Sequence, residues 1–205
     1  MVDFDGILKS APIIAILRGV TLETVESAAE ALLAGGIRFV EVTLNSPDAL
    51  RSIELLAQRF SAEELIIGAG TVTTAPQAAQ VAIAGGKYII SPNTNPAVIR
   101  KTKELGLVSI PGFYTPTEAF TAVEAGADYL KCFPVRNLGE SYIKDLKAVL
   151  TKPIIAVGGV DLNNMAVFLK VCAGVGIGSN LYSLDKTPEQ LKALAEQYVA
   201  KVKGV

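Results

Sequence analysis

The chain repeats one pattern from end to end: a short apolar run is followed by a stretch of helical periodicity that often ends at glycine. Such strict alternation favours parallel strands joined by helical crossovers. The predicted strands cover residues 12–17, 37–44, 65–69, 88–91, 107–111, 128–133, 153–157 and 173–178. The predicted helices cover residues 3–9, 21–33, 47–60, 74–84, 95–105, 115–124, 141–150, 161–170 and 187–202.

About eight such units of about 25 residues each predict an α/β fold, a closed (β/α)8 TIM barrel with residues 3–9 as a short leading helix. The alternative is an open doubly wound sheet, but the first strand–helix turn has no Gly-x-Gly-x-x-Gly sequence. A length of 205 residues without a linker or low-complexity segment predicts one domain over residues 1–205.

Composition limits the chemistry. The net charge of −1 gives no electrostatic footprint for nucleic acid or an anionic membrane, and no apolar run is long enough to span a bilayer. The chain has no histidine, which excludes histidine-based triads and histidine zinc sites. Its two cysteines, Cys132 and Cys172, have no metal-like spacing, so a reduced chain in the cytoplasm is expected.

Lys131 lies in the middle of the apolar run Tyr-Leu-Lys-Cys-Phe-Pro at 129–134, and Phe133 shares its face. An ammonium group pointing into a core is costly unless it is paired, neutralised or chemically used. Burial lowers the pKa of a lysine, and the neutral amine is a nucleophile towards carbonyl carbon. The alternative is a lysine at a strand end whose charged group reaches water.

Glu41 stands in a second apolar run, with Thr43 and Asn45 at alternate positions on the same face. A buried carboxylate needs a partner, and a lysine inside the same barrel would supply one. The two interpretations are a structural ion pair and a general acid/base beside Lys131.

The other candidates lie at the carboxyl ends of the predicted strands, where such barrels have their active sites. Arg18 could bind a carboxylate through two hydrogen bonds, or could be a solvated charge. Thr71 could contact substrate or cap the next helix, and Asn45 could equally belong to a helix cap. The remaining candidate substrate-binding residues at these ends are Pro92, Phe133, Val157, Gly158, Gly159, Gly178 and Ser179.

Two glycine-containing turns follow the last two strands, Gly158-Gly159 and Gly178-Ser179. Their backbone N–H groups could bind an anion, and many barrels bind phosphate after these two strands. Tight turns without a ligand are the alternative.

Six segments together resemble those of the 2-keto-3-deoxy-6-phosphogluconate and 2-dehydro-3-deoxy-6-phosphogalactonate aldolases: residues 16–19, 40–47, 68–72, 91–93, 130–134 and 157–160. The resemblance covers almost the whole chain. It implies a class I aldolase that needs no metal and no cofactor, acts on a phosphorylated keto-deoxy sugar acid and is usually a homotrimer.

The resemblance also implies residue roles. Lys131 matches the Schiff-base lysine of the family, and Glu41 matches its general acid/base. Arg18 and Thr71 match positions that contact the pyruvate part of the substrate. The positions that match the phosphate site are Gly158, Gly159 and Ser179.

Two segments favour the galactonate branch. In the family that this chain resembles, the gluconate-type enzymes have Leu-Arg-Thr after the second strand and Thr-Gly-Gly at the seventh. This chain has Leu-Asn-Ser at 44–46 and Val-Gly-Gly at 157–159. The expected reaction is cleavage of 2-dehydro-3-deoxy-6-phosphogalactonate to pyruvate and D-glyceraldehyde 3-phosphate. The alternatives are cleavage of the gluconate epimer or of 4-hydroxy-2-oxoglutarate, and a phosphosugar isomerase or epimerase on the same barrel. Arg136, which departs from the family pattern, could hold phosphate or face solvent.

Overall fold

The computed structural model describes residues 3–204, in which strands alternate with helices. The strands are β1 (Ile13–Leu17), β2 (Phe39–Thr43), β3 (Ile66–Gly70), β4 (Tyr88–Ile90), β5 (Val108–Ile110), β6 (Gly112–Phe113), β7 (Leu130–Cys132), β8 (Ile154–Val157) and β9 (Gly174–Ile177). The helices are α1 (Phe4–Ser10), α2 (Val25–Ala34), α3 (Ala49–Arg59), α4 (Ala75–Ile83), α5 (Pro96–Glu104), α6 (Pro116–Glu124), α7 (Gly139–Leu146), α8 (Met165–Leu169) and α9 (Pro188–Val202). A short 3-10 helix, Val135–Asn137, follows β7.

The strands form one parallel sheet in the order β5-β4-β3-β2-β1-β9-β8-β7-β6. The two end strands of that order, β5 and β6, are consecutive halves of one segment interrupted at Pro111, which has no N–H to donate. The carbonyl oxygen of Ser109 in β5 accepts hydrogen bonds from the N–H groups of Asp128 and Tyr129, at 3.0 and 3.2 Å. The sheet therefore closes into a barrel of eight strand positions, and the predicted (β/α)8 fold is confirmed, with the predicted strand 107–111 divided in two.

Alternation along each strand separates two apolar clusters. One cluster fills the barrel interior, and the other lies between the strands and the surrounding helices, where it includes Val40, Val42 and Cys132. In β2, Phe39 belongs to the interior while Val40 belongs to the outer layer. The interior cluster consists of Phe4, Leu8, Ile14, Ile16, Phe39, Ile66, Tyr88, Ile90, Ile110, Tyr129, Ile155 and Val157.

The leading helix α1 closes the amino end of the barrel. The ring of Phe4 packs at 4.8 Å from that of Phe39, 5.6 Å from that of Tyr88 and 5.4 Å from that of Tyr129, measured between centroids. These edge-on and tilted aromatic contacts fill that end of the barrel, and the Tyr129 hydroxyl donates to the Asp5 carboxylate of α1. The carboxyl ends of the strands, which α1 does not cover, form the open end of the barrel, and barrels of this kind have their active sites there.

Several helices begin where local hydrogen bonds allow it. Helices α4, α6 and α9 follow a threonine whose hydroxyl accepts the N–H of the third helical residue, while that residue's side chain accepts from the threonine N–H; the threonines are Thr74, Thr115 and Thr187. The helix predicted over 161–170 starts only at Met165, because the Asp161 carboxylate accepts the N–H groups of Asn163 and Asn164 at 2.8 and 3.1 Å and forms a turn.

The helix predicted over 21–33 likewise begins at Val25, after a turn in which the Thr24 hydroxyl accepts the N–H of Thr21. The helix predicted over 141–150 ends at Leu146 and is preceded by the 3-10 helix, which the sequence did not predict. None of the helices in residues 3–204 is long and apolar enough to cross a membrane. The prediction of one domain over residues 1–205 stays a prediction, and residues 1, 2 and 205 lie outside the described residues.

Candidate active site

Lys131 and Glu41 both point into the barrel. Lys131 lies between Tyr129 and Phe133, which pack with the interior cluster, and its side chain is 5% exposed. Glu41 follows interior Phe39 by two residues and is 1% exposed. The two strands approach the interior from opposite sides, since β7 and β2 are separated by β8, β9 and β1 in the sheet order. A buried amine and a buried carboxyl group therefore both lie in the barrel interior.

No direct ion pair joins these two groups. The ion pairs closer than 4.0 Å among residues 3–204 lie on the surface, and none involves Lys131 or Glu41. The Oε2 atom of Glu41 has no hydrogen-bond partner among these residues. The interpretation of the two residues as a structural ion pair is therefore not supported, because such a pair would be in contact.

Burial shifts both groups towards their neutral forms. It lowers the pKa of Lys131, an effect that the negative charge of Glu41 opposes and the positive charge of Arg18 reinforces. It raises the pKa of Glu41, against the positive charges of Lys131 and Arg18. A lowered lysine pKa increases the fraction of free amine, which is the form that attacks carbonyl carbon.

The glycines of β3 make room for the Glu41 side chain. A Cβ atom at Gly70 would overlap Oε1 of Glu41, so the carboxyl group leans across the backbone of β3 at its carboxyl end. Glycine is the only residue without a side chain that would occupy this space. Gly70 thus contributes to the site because its missing side chain leaves space for the Glu41 carboxyl group, a role that the sequence analysis did not assign to it.

Arg18 and Asn45 meet at the carboxyl ends of β1 and β2. The Nη1 atom of Arg18 donates a hydrogen bond of 3.2 Å to Oδ1 of Asn45. Next to them, the Ser46 hydroxyl accepts the N–H of Gly19 at 2.9 Å and lies 3.0 Å from the Thr43 hydroxyl. Asn45 does not cap a helix, because the residue before α3 is Asp48. Arg18 is held at the open end of the barrel by this one hydrogen bond, and the other N–H groups of its guanidinium do not bond to residues 3–204.

Thr71 has an unusual backbone conformation at the end of β3. Its φ angle is +59°, in the left-handed region that a β-branched residue rarely adopts. It does not cap α4, since that helix is capped by Thr74. Strained residues of this kind are concentrated at functional sites, so both the strand-end position and the backbone strain favour Thr71 as a candidate site residue.

An apolar wall lies beside the amine. The Nζ atom of Lys131 is 4.7 Å from the centroid of the Phe133 ring, and Val157 on β8 belongs to the interior cluster. The carbonyl group of Pro92 packs so closely on Gly112, the cross-strand neighbour of Lys131, that a side chain would not fit there. Phe133 therefore lies against the amine, Pro92 packs on the cross-strand neighbour of Lys131, and Val157 lies in the same interior cluster.

The two glycine turns lie side by side. Gly158 and Gly159 have φ angles of +94° and +88°, which bend the chain sharply after β8. The side-chain Nδ2 atom of Asn164 donates to the carbonyl oxygen of Gly159 at 2.9 Å, and the Nδ2 atom of Asn180 donates to the carbonyl oxygen of Val160 at 2.8 Å. These two bonds fix the first turn and tie the loop after β9 to it. The Asp-Leu-Asn-Asn sequence after Val160 was the signal that could have identified Asn164 in advance.

Both turns have backbone N–H groups without an acceptor among residues 3–204, Gly159 and Ser179 among them. Free N–H groups on adjacent turns form the kind of pocket that binds an oxyanion. Gly178 precedes Ser179, and its carbonyl oxygen accepts the N–H groups of Leu181 and Tyr182, which winds the chain into a helical turn.

Arg136 lies against the first of these turns. Its N–H donates to the carbonyl oxygen of Gly158 at 3.0 Å, and a Cβ atom at Gly159 would lie 2.7 Å from its Cβ and 2.8 Å from its Nε. Its side chain makes no ion pair within the described residues. Arg136 is exposed and lies beside the glycine turn, so both alternatives, a role with phosphate and a solvent-facing charge, fit its position.

These features define a class of protein: a (β/α)8-barrel enzyme with a buried amine and a buried carboxyl group in its interior and two glycine-containing turns at the carboxyl ends of its last two strands. Residues 4–195 match the family described as KDPG and KHG aldolase. The chain therefore belongs to the KDPG and KHG aldolase family, and it is an aldolase, a lyase of carbon–carbon bonds.

Individual proteins to which the chain is similar are also aldolases. The chain is 42% identical over 194 residues to 2-dehydro-3-deoxy-6-phosphogalactonate aldolase of Escherichia coli strain K12, covering 91% of this chain and 94% of that protein. A solved structure described as native KDPGal is 40% identical with a TM-score of 0.91, over 94% of this chain and 95% of that one. The KDPG aldolase of Legionella pneumophila, solved with pyruvate captured at low pH as a covalent carbinolamine, is 28% identical with a TM-score of 0.86, over 94% and 96% of the two chains.

Proposed function

We propose that this aldolase cleaves 2-dehydro-3-deoxy-6-phosphogalactonate to pyruvate and D-glyceraldehyde 3-phosphate through a Schiff base on Lys131. The observation that carries the proposal is the buried amine of Lys131, which shares the barrel interior with the buried carboxyl group of Glu41. The name of the relative from Escherichia coli supports the choice of substrate.

The covalent step uses the free amine. The lone pair of the Lys131 nitrogen attacks the C2 carbonyl carbon and, with a proton moved from nitrogen to oxygen, forms a carbinolamine. The carbinolamine hydroxyl group leaves as water with a proton from the Glu41 carboxyl group, which gives a protonated imine and the Glu41 carboxylate. Burial, by lowering the pKa of Lys131, supplies the neutral nucleophile. The covalent carbinolamine seen in the Legionella relative supports this step.

Bond cleavage uses the carboxylate of Glu41 as a base. It accepts the proton of the C4 hydroxyl, the C3–C4 bond breaks, and the bonding electrons move to the imine nitrogen to give an enamine. The C4 carbon leaves as the aldehyde of glyceraldehyde 3-phosphate. Protonation of the enamine carbon and hydrolysis then release pyruvate and restore the amine of Lys131.

The open end of the barrel binds the two anionic ends of the substrate. Arg18 and Thr71 hold the carboxylate next to C2, while Phe133, Pro92 and Val157 shield the imine from water. The free N–H groups of Gly159 and Ser179 bind the phosphate, and Arg136 adds a positive charge beside them.

Two residues that differ from the gluconate-type pattern, Asn45 and Val157, support the galactonate epimer. In place of the arginine of gluconate-type enzymes, Asn45 offers a neutral amide whose oxygen is already bonded to Arg18. Val157 places methyl groups in the interior where those enzymes have a threonine hydroxyl. Membership of an aldolase family favours this reaction over the isomerase or epimerase alternative.

One set of measurements tests the proposal. Cleavage rates for the two C4 epimers should show a higher kcat/KM with the galactonate, and borohydride with pyruvate should leave a stable adduct that peptide mapping assigns to position 131. Lys131→Ala should abolish the adduct, while Lys192→Ala on the surface of α9 should keep it. An activity of Lys131→Ala within about tenfold of the parent, or an adduct at another lysine, would contradict the proposed role.

The assembly and location belong to the same proposal. The family resemblance supports a homotrimer, which light scattering of the purified chain would test by its mass. Cys132 and Cys172 are both free thiols, which supports a reducing compartment and hence the cytoplasm. Fractionation of cells that produce the protein, followed by immunoblotting, tests that location.

A further inference from the structure

Glu41 and Tyr88 reach towards each other across β3. In the strand register Glu41 pairs with Gly68, and Gly68 pairs with Tyr88, so the three residues form one row around the barrel interior. Because Gly68 has no side chain, the Tyr88 ring lies over it, and a Cβ atom there would be 2.5 Å from three ring atoms. From the other side the Glu41 carboxyl group leans over Gly70. The two side chains therefore converge above the same strand.

Both side chains end in a polar atom without a partner. Among residues 3–204, Oε2 of Glu41 and the hydroxyl oxygen of Tyr88 are buried and make no hydrogen bond to another residue. Buried polar atoms are rarely left unpaired, and a water molecule with polar partners on two sides commonly joins them. Two unpaired atoms on neighbouring side chains, one a donor and the other an acceptor, are complementary.

We propose that Tyr88 is a positioning residue for Glu41: its hydroxyl group donates a hydrogen bond to the Glu41 carboxylate through one buried water molecule. The inference rests on the proposed function, in which that carboxylate is the base that accepts the C4 hydroxyl proton. Tyr88 stands on the closed side of the site, where its ring is held by contacts with Phe4 and Phe39 at 5.6 and 6.2 Å between centroids.

The chemistry of the surroundings makes Tyr88 a donor. Its burial, and then the negative charge of Glu41, raise the pKa of the phenol well above its ordinary value, so it keeps its proton at every working pH. The other ionisable groups that act on Glu41 are Lys131 on β7 and Arg18 after β1, while β3 contributes glycine at both facing positions. A donor on the closed side favours the ionised carboxylate and fixes its orientation without contacting the substrate.

The consequence is a lower proton affinity for Glu41 than burial alone would give. The proposed water-mediated bond thereby helps to keep the carboxylate in its basic form at neutral pH, although no residue among 3–204 donates a hydrogen bond to its Oε2 atom. Removing the hydroxyl while keeping the ring should raise the pKa of Glu41, because the charged form would lose its donor.

Tyr88→Phe is the variant that tests this, because it keeps the ring and its packing. With glutamate labelled at the side-chain carboxyl carbon, the Glu41 resonance, assigned by its loss in Glu41→Gln, should titrate about one pH unit higher in Tyr88→Phe than in the parent. The acidic limb of the pH profile of kcat/KM for cleavage should move in the same direction. Tyr129→Phe is the matched control, since Tyr129 is another interior phenol, and its hydroxyl bonds to Asp5 instead.

The outcomes separate the inference from the proposed function. A Glu41 titration in Tyr88→Phe that coincides with that of the parent, or that moves no further than in Tyr129→Phe, overturns the inference. That titration needs no catalytic activity, so it gives a result even if the chain cleaves neither epimer. The proposed function fails separately, through the absence of a pyruvate adduct on Lys131 in the parent.

Discussion

At the scale of single residues, the site combines two cations and one anion that are not in direct contact. Burial and the charge of Arg18 both favour the neutral amine of Lys131, and only the charge of Glu41 opposes them. A direct ion pair would instead hold the lysine protonated and unreactive. The separation of Lys131 from Glu41 is therefore a condition of the proposed chemistry.

Arg136 provides a prediction at this scale. Replacing it by glutamine should raise the KM for the phosphorylated substrate about tenfold, because a charged hydrogen bond to phosphate is worth about 1.5–3 kcal/mol. Exchange of the methyl protons of pyruvate, which involves no phosphate, should keep the parent's rate. Arg100→Gln on the exposed surface of α5 is the control, and an unchanged KM in Arg136→Gln would remove Arg136 from the phosphate site.

At the scale of elements, the strands were predictable from the sequence, whereas the helix starts and the register between strands were less so. The eight strand positions follow from continuous apolar runs, and the shared interior position of Lys131 and Glu41 follows from alternation along two strands. Helix starts were less predictable, since the turn that Asp161 forms delays α8 to Met165. The placement of Tyr88 across Gly68 depends on the register between three strands, which the order of residues does not reveal.

The turn after β8 provides a prediction at this scale. Gly159→Ala should raise the KM for the phosphorylated substrate at least about tenfold, because a methyl group there meets Arg136 at 2.7 Å and distorts the turn that holds the free N–H. Gly126→Ala is the matched control: its φ angle is +99°, but a side chain there meets only Lys103, at 3.7 Å.

Both variants should lose about 1 kcal/mol of stability from the strained φ angle. Only Gly159→Ala should lose phosphate affinity, measured by the competition of inorganic phosphate with substrate. An equal change of KM in the two variants would show that backbone strain, and not the turn after β8, controls substrate binding.

At the scale of the whole molecule, packed apolar side chains close the amino end of the barrel, and charged side chains lie towards its carboxyl end. Helix α1 and the aromatic rings around Phe4 seal the amino end, so the interior charges lie towards the carboxyl end. Within this interior Lys131 and Glu41 occupy positions that apolar residues could fill. Buried charges of this kind stabilise a fold less than well-packed apolar groups of similar volume.

The pKa shifts give this penalty a dependence on pH. The raised pKa of Glu41 means that its contribution is most favourable below its ordinary pKa and is lost as the pH rises through the folded-state value. The lowered pKa of Lys131 means that stability rises with pH between its folded-state value and its ordinary value. At neutral pH both residues therefore make the folded state less stable than neutral residues of similar shape would.

The double variant Glu41→Gln with Lys131→Met should accordingly be inactive and, at pH 7, more stable than the parent by about 1–4 kcal/mol. The gain that Glu41→Gln adds to Lys131→Met should shrink as the pH falls towards 4, since the carboxyl group then becomes protonated in the folded and unfolded chains alike. Chemical denaturation at the two pH values measures both effects. The control exchanges the same residue types in the exposed pair Lys192 and Glu196 on α9, 3.7 Å apart, and should change stability by less than about 1 kcal/mol. A double variant no more stable than its parent would mean that the interior charges are compensated in the folded barrel, contrary to the pKa shifts of Lys131 and Glu41.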